Sequence, residues 1–134
     1  MLNTELMDSL RQTLDELRTA ENELNRPMED VVTLSLCVTA RKSMSDLMHI
    51  YLKINTQHSF KEQSLQDLLE GCKNHDPHFE QVSLGKIYCN SLNHSLCEDK
   101  HCLLYNNVEE CMKVAGQLKQ LVLQKLELNE ADLM

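Results

Sequence analysis

The run VVTLSLCVTA at positions 31–40 carries no charge for ten residues, in a chain where 25% of all residues are Asp, Glu, Lys or Arg. Its neighbours extend it into a helix predicted over about 27 to 54. The apolar positions of that helix fall on more than one face, and such a helix has to be surrounded, which places it at the centre of a bundle. Val31, Leu34, Val38, Leu47, Ile50 and Ile54 are its expected core contacts. Met44, Met48 and Tyr51 then form a second apolar surface, expected to face either a further helix or a second subunit. Arg41 and Lys42 interrupt the apolar pattern. Each must reach water along its aliphatic stem or meet an acid or a partner, and reaching water is the expectation.

The rest of the chain supplies helices to surround this one. Leu6, Leu10, Leu14, Leu17 and Leu24 recur at steps of three, four and seven, one face of a helix over 3 to 24. Asn25 and Pro27, followed by Glu29 and Asp30, read as a stop and then a start, because Pro suits a first helical turn and acids there complement the helix dipole. After NTQHSFKEQ breaks the periodicity, SLQDLLEGCK resumes it with Leu65, Leu68, Leu69 and Cys72 on one side. NHDPHFEQV is predicted as a loop, since the residue before Pro is pushed out of helical geometry. A short helix or turn is expected in 80–104, and a last helix from Asn106 or Asn107, burying Val108, Cys111, Ala115, Leu118 and Val122.

With three Gly, two Pro and no Trp in 134 residues, the chain has little turn chemistry for sheets. The expected fold is all-α, a single domain over 1–134 forming an antiparallel up-and-down bundle of four to five helices.

The formal charge of −8 opposes steering toward bare nucleic acid or an anionic membrane, and leaves only local basic groups, Arg41, Lys42 and Lys86, as candidates for holding an anion. No stretch reaches 18 apolar residues and the opening residues contain acids, so a soluble, cytoplasmic protein without membrane contact is expected. In that compartment the six cysteines are expected to be reduced, with Cys37 and Cys111 as small core residues. Gly71, Gly85 and Gly116 stand too far apart for a phosphate-cradling loop.

Chemistry-bearing residues crowd into IYCNSLNHSL at 87–96, which holds Cys89, Asn90, Asn93 and His94. Zinc could draw on Cys72, His75 and His78 together with His94, Cys97, His101 and Cys102, although the spacing fits no zinc family tightly. Thiol catalysis would require a His to lower the pKa of Cys89 or Cys97 and a third group to orient that His, and His94 alone is only part of such a set.

The stretch RPMEDVVTLSLCVTARKSMSDLMHIYLKIN, followed by SLQDLLEGCKNHDPHFEQV and preceded by AENELNRP, resembles HEPN domains (higher eukaryotes and prokaryotes nucleotide-binding). The resemblance covers most of the chain and rests on order and spacing. It implies a helical bundle that commonly pairs as a homodimer. It also implies a role as partner of a minimal nucleotidyltransferase in toxin and antitoxin operons, or as a toxin that cuts RNA without metal. The cutting members carry an Arg, four to six other residues and a His, often with Asn directly after the Arg.

In CNSLNH, Asn90 and His94 occupy the matching positions and Cys89 stands where the Arg belongs. Metal-free cleavage needs a base for the 2′-hydroxyl and a cation for the charge developing on phosphate. His94 could be the base, but Cys89 is no permanent cation, and neither Lys86 nor Lys100 offers the guanidinium fork. The expectation is a non-catalytic HEPN-like domain that dimerises or accommodates a nucleotide or RNA, pairs with a nucleotidyltransferase, and needs no cofactor or metal. The alternatives are a metal-independent ribonuclease using Asn90 and His94, and a zinc-stabilised helical domain.

Overall fold

A computed structural model describes residues 4–27, 33–56, 64–83, 105–129 and 131. Four α-helices and one 3-10 helix account for nearly all of them: α1 (Thr4–Leu24), α2 (Thr33–Asn55), α3 (Leu65–His75), the 3-10 helix (Pro77–Gln81) and α4 (Tyr105–Lys125). No strand occurs among the described residues, and the all-α bundle is the observed fold. No described helix is long and apolar enough to cross a membrane.

α2 is enclosed by the other three helices. Leu36, Cys37, Ala40, Met44, Leu47, Met48, Ile50, Tyr51 and Leu52 are all buried, and these positions cover more than half of the helix circumference, leaving a strip with Lys42 and Lys53 at the surface. α1 lies along one side. Its Leu10, Leu14 and Leu17 face inward at the predicted spacing, whereas Leu6 and Leu24 are only partly covered at its ends. Glu16 of α1 meets Lys42 of α2, while Ser9 and Thr13 lie beside Asp46 and Ile50, so the two helices run in opposite directions. α4 buries Val108, Cys111, Ala115, Leu118 and Val122, the row the sequence predicts, together with Met112, Val114, Leu121 and Leu123.

The outer face of α1 is covered by charges three residues apart, Asp8 with Arg11, Asp15 with Arg18 and Glu23 with Arg26. Such exposed pairs contribute at most about 1 kcal/mol each, so they mark the solvated side without deciding the fold. α3 begins at Ser64, whose hydroxyl accepts from the Asp67 N–H at 3.1 Å. Its buried Leu65, Leu68, Leu69 and Cys72 then turn toward α2. α4 stops in a Schellman turn in which the Leu128 N–H donates to the Leu123 carbonyl at 2.9 Å and Glu127 takes a left-handed φ of 57°.

Two expectations about α2 need correction. Arg41 does not reach water: it is 0% exposed, among the largest fully enclosed side chains of the protein. Its aliphatic stem cannot carry the guanidinium out because neighbouring helices cover the side of α2 from which it projects. Met44, Met48 and Tyr51 are likewise buried within this one chain, at 0%, 0% and 2% exposure. They therefore offer no surplus surface to a second subunit, and the alternative of a further helix holds.

Met44→Ala removes an enclosed side chain whose loss costs about 2–5 kcal/mol in such positions. Urea unfolding of dilute protein should show that loss undiminished at the lowest measurable concentration, as a core contact requires; a loss that grows with protein concentration would make Met44 an intersubunit contact instead.

Candidate functional site

The most connected group of polar side chains lies where α3 turns into the 3-10 helix. Asp76 ends α3 in an extended conformation, its own N–H donating to the Cys72 carbonyl at 2.8 Å. The same residue caps the 3-10 helix, its Oδ1 accepting from the His78 N–H at 2.9 Å, with Pro77 at the position where a missing N–H is harmless. Oδ2 meets the Lys125 ammonium, the last residue of α4, at 3.0 Å. His78 completes the group through Nδ1, which lies 3.2 Å from Asp76 Oδ1 and within hydrogen-bond contact of Lys125 Nζ. One residue thus closes two helix ends, α3 through its backbone N–H and the 3-10 helix through its carboxylate, and that carboxylate ties both to the end of α4.

Beneath this corner sits an aromatic contact. Tyr51, near the end of α2, packs against Phe79 with ring centroids 4.7 Å apart, and the His75 ring meets Tyr51 edge-on at 5.6 Å. Burial raises the Tyr51 phenol to about 12, aided by the nearby Asp76 carboxylate. Burial also raises the Cys72 thiol to about 12, so it is protonated and inert at neutral pH. The backbone N–H of His78 and the Lys125 ammonium hold the Asp76 carboxyl below its ordinary value of 3.8.

These placements bear on the zinc reading. Cys72 is enclosed in the core while His75 and His78 stand at the surface, engaged with Tyr51 and with Asp76 and Lys125. Among the described residues no three His, Cys, Asp or Glu side chains are arranged to hold a metal. His94, Cys97, His101 and Cys102 lie outside the described residues.

Lys42 occupies a second polar group between α1 and α2. Its ammonium contacts Glu16 at 3.0 Å and Asp46 at 2.9 Å beside a small cleft of about 160 Å³ lined by Ser9, Gln12, Thr13 and Ile50. Partial burial opposes its charge, but the two carboxylates together outweigh that effect and its pKa is raised. A cation already facing two acids is a poor anion receptor. Arg41 is enclosed and so does not share a surface with Lys42. Cys89, Asn90 and His94, the candidate cutting residues, and Lys86 lie outside the described residues.

Sequence reasoning missed Asp76 and Lys125. The Asp-Pro step was legible as a break, and a side-chain cap could have been read from it. Nothing in the order of residues signals that a lysine 49 positions later would arrive at the same carboxylate.

Comparison with models of known families, with curated proteins and with solved structures finds no match to this chain.

Asp76→Asn keeps a capping acceptor and removes only the charge, so it isolates the ionic contribution. Because the folded-state pKa lies below the unfolded one, that contribution is present above about pH 4 and is lost as the pH falls through the folded value. Wild type should exceed Asp76→Asn in melting temperature at pH 6, and the gap should close on acidification below 3.8. Parallel profiles would show that the pair with Lys125 contributes nothing.

Proposed function

We propose that this chain is a HEPN-like helical module that works by binding rather than by cutting RNA. Its site accommodates a nucleotide or docks a separately encoded minimal nucleotidyltransferase in the cytoplasm. The supporting observation is how the two stretches that carry the resemblance pack. RPMEDVVTLSLCVTARKSMSDLMHIYLKIN supplies α2, SLQDLLEGCKNHDPHFEQV supplies α3 and the 3-10 helix, and Tyr51 of the first packs on Phe79 of the second at 4.7 Å. The quoted residues thus belong to one continuous core, with Leu68, Leu69 and Cys72 against α2, as expected if their order reflects a shared architecture.

The non-catalytic part of the proposal rests on Cys89, which stands in place of the motif Arg. A thiol supplies no fixed positive charge to a phosphate, so the base His94 would lack its electrostatic counterpart. The resemblance also implies homodimers, for which Met44, Met48 and Tyr51 provide no surface.

Two measurements test this reading. Incubated with a mixed RNA pool in chelator, wild type and His94→Ala should both leave the RNA intact, whereas cleavage by wild type that disappears in His94→Ala would establish the ribonuclease instead. Titration with adenine and guanine nucleotides, and with a purified minimal nucleotidyltransferase, should raise the melting temperature with ligand concentration, as binding to the folded state requires. Absence of any such rise with every one of these ligands would overturn the binding role.

A further inference from the structure

Where α3, the 3-10 helix and α4 meet, the two side chains that face Asp76 differ in when they carry charge. A lysine ammonium keeps its charge through neutral pH, whereas histidine is the side chain that takes up a proton between about pH 5 and 8. Lys125 Nζ lies 3.0 Å from Asp76 Oδ2 and in hydrogen-bond contact with His78 Nδ1. An ammonium has donors and no lone pair, so Nδ1 is the acceptor of that contact and the imidazole is neutral, its proton on Nε2. In this state Nδ1 and Asp76 Oδ1, 3.2 Å apart, are two acceptors with no hydrogen between them.

A proton on Nδ1 reverses these roles. The 3.2 Å separation becomes a charge-assisted hydrogen bond from imidazolium to carboxylate, while the contact with Lys125 Nζ becomes one between two cations, neither able to accept. Asp76 Oδ1 already accepts from the His78 backbone N–H at 2.9 Å, so the ring stays beside that oxygen through a short local turn. Lys125 arrives from another helix on a flexible stem and gives up more freedom to stay. Lys125 is therefore the partner that leaves. Its side chain and that of Asp76 are each only 20% exposed, so water and salt screen the change less than at an open surface.

The other titratable groups at this corner leave the change to His78. Tyr51 of α2 and Cys72 of α3, both pushed up to about 12, stay neutral, and the Asp76 carboxyl, held below 3.8, stays ionised. The His75 ring of α3 is turned against Tyr51, and Lys73 pairs with Glu70. Glu80 of the 3-10 helix and Glu127 beyond α4 are exposed, and among the described residues neither forms an ion pair with His78 or Lys125.

We propose that His78 is a proton-operated release for the end of α4. When neutral it helps Asp76 hold Lys125, and when protonated it takes the carboxylate and frees the last turn of α4. The pinned arrangement has no proton on Nδ1 and the released one does, so pinning is complete above the histidine range and is lost as the pH falls through it. The inference stands on the geometry of this corner and does not depend on the family resemblance.

Amide hydrogen exchange of the full chain, with each rate divided by the intrinsic rate at that pH, tests it at Leu126 and Leu128, whose N–H groups donate to the Val122 and Leu123 carbonyls at 3.0 Å and 2.9 Å. In wild type their protection should fall severalfold from about pH 8 to about pH 5, while that of the α1 interior changes little. His78→Gln keeps an acceptor for Lys125 and a donor for Asp76 but does not titrate, so its protection should be level across the range. Lys125→Met removes the pin and should show the low protection at both ends, with unchanged circular dichroism. His75→Gln should behave as wild type. Imidazole nitrogen chemical shifts should show Nδ1 of His78 unprotonated at the upper pH and protonated at the lower. Level protection in wild type, a loss that survives His78→Gln or vanishes in His75→Gln, a Lys125→Met variant as protected as wild type at the upper pH, or an Nδ1 that already carries its proton there would each overturn the proposal.

Discussion

The enclosure of α2 is the constraint on which the other elements depend. A helix that is apolar over more than half of its circumference cannot stand at a surface, so α1, α3 and α4 each turn their apolar stripe toward it. The consequence reaches even Arg41. Its guanidinium cannot shed its charge under ordinary conditions, and holding such a group inside costs several kcal/mol unless acceptors surround it. Lys42, one residue further on, turns to the opposite environment and bridges Glu16 and Asp46 across the junction with α1. Two adjacent cations thus meet different surroundings because successive residues on a helix point about 100° apart.

The ends of the helices are held by a different kind of interaction. Asp76 joins the end of α3, the start of the 3-10 helix and the last residue of α4, while Tyr51 and Phe79 close the core below it. Polar pinning at this corner and apolar packing along α2 are complementary. The packing fixes which faces meet, and the capping and ionic contacts fix where the helices stop. On the outer side of α4, by contrast, Lys113, Gln117, Gln120 and Gln124 are polar and exposed.

The helices were legible in the sequence because their signals are local and repetitive. Leucines four and three residues apart in α1 and the uncharged run in α2 each state a buried face without reference to the rest of the chain. What was not legible depends on distant partners. Arg41 looked able to reach water because a sequence does not show which helix will cover it, and Met44, Met48 and Tyr51 looked like spare surface for the same reason. The ionic contact between Asp76 and Lys125 joins residues from separate helices and has no periodic signature. The stretch around Cys89 and His94 was prominent by residue type alone, and its chemistry rests on that sequence and on the family resemblance.

The central claim is that this single chain covers the whole apolar surface of α2, leaving only the strip with Lys42 and Lys53 at the surface. Amide hydrogen exchange followed across a wide range of protein concentration tests it most directly. The slowest amides should lie in the part of α2 from Leu36 to Leu52, exchanging only through global unfolding, with protection that is already complete in the most dilute sample. Protection of those amides that is weaker than in α1, or that develops only as concentration rises, would contradict the claim and show that α2 needs a second copy to cover it.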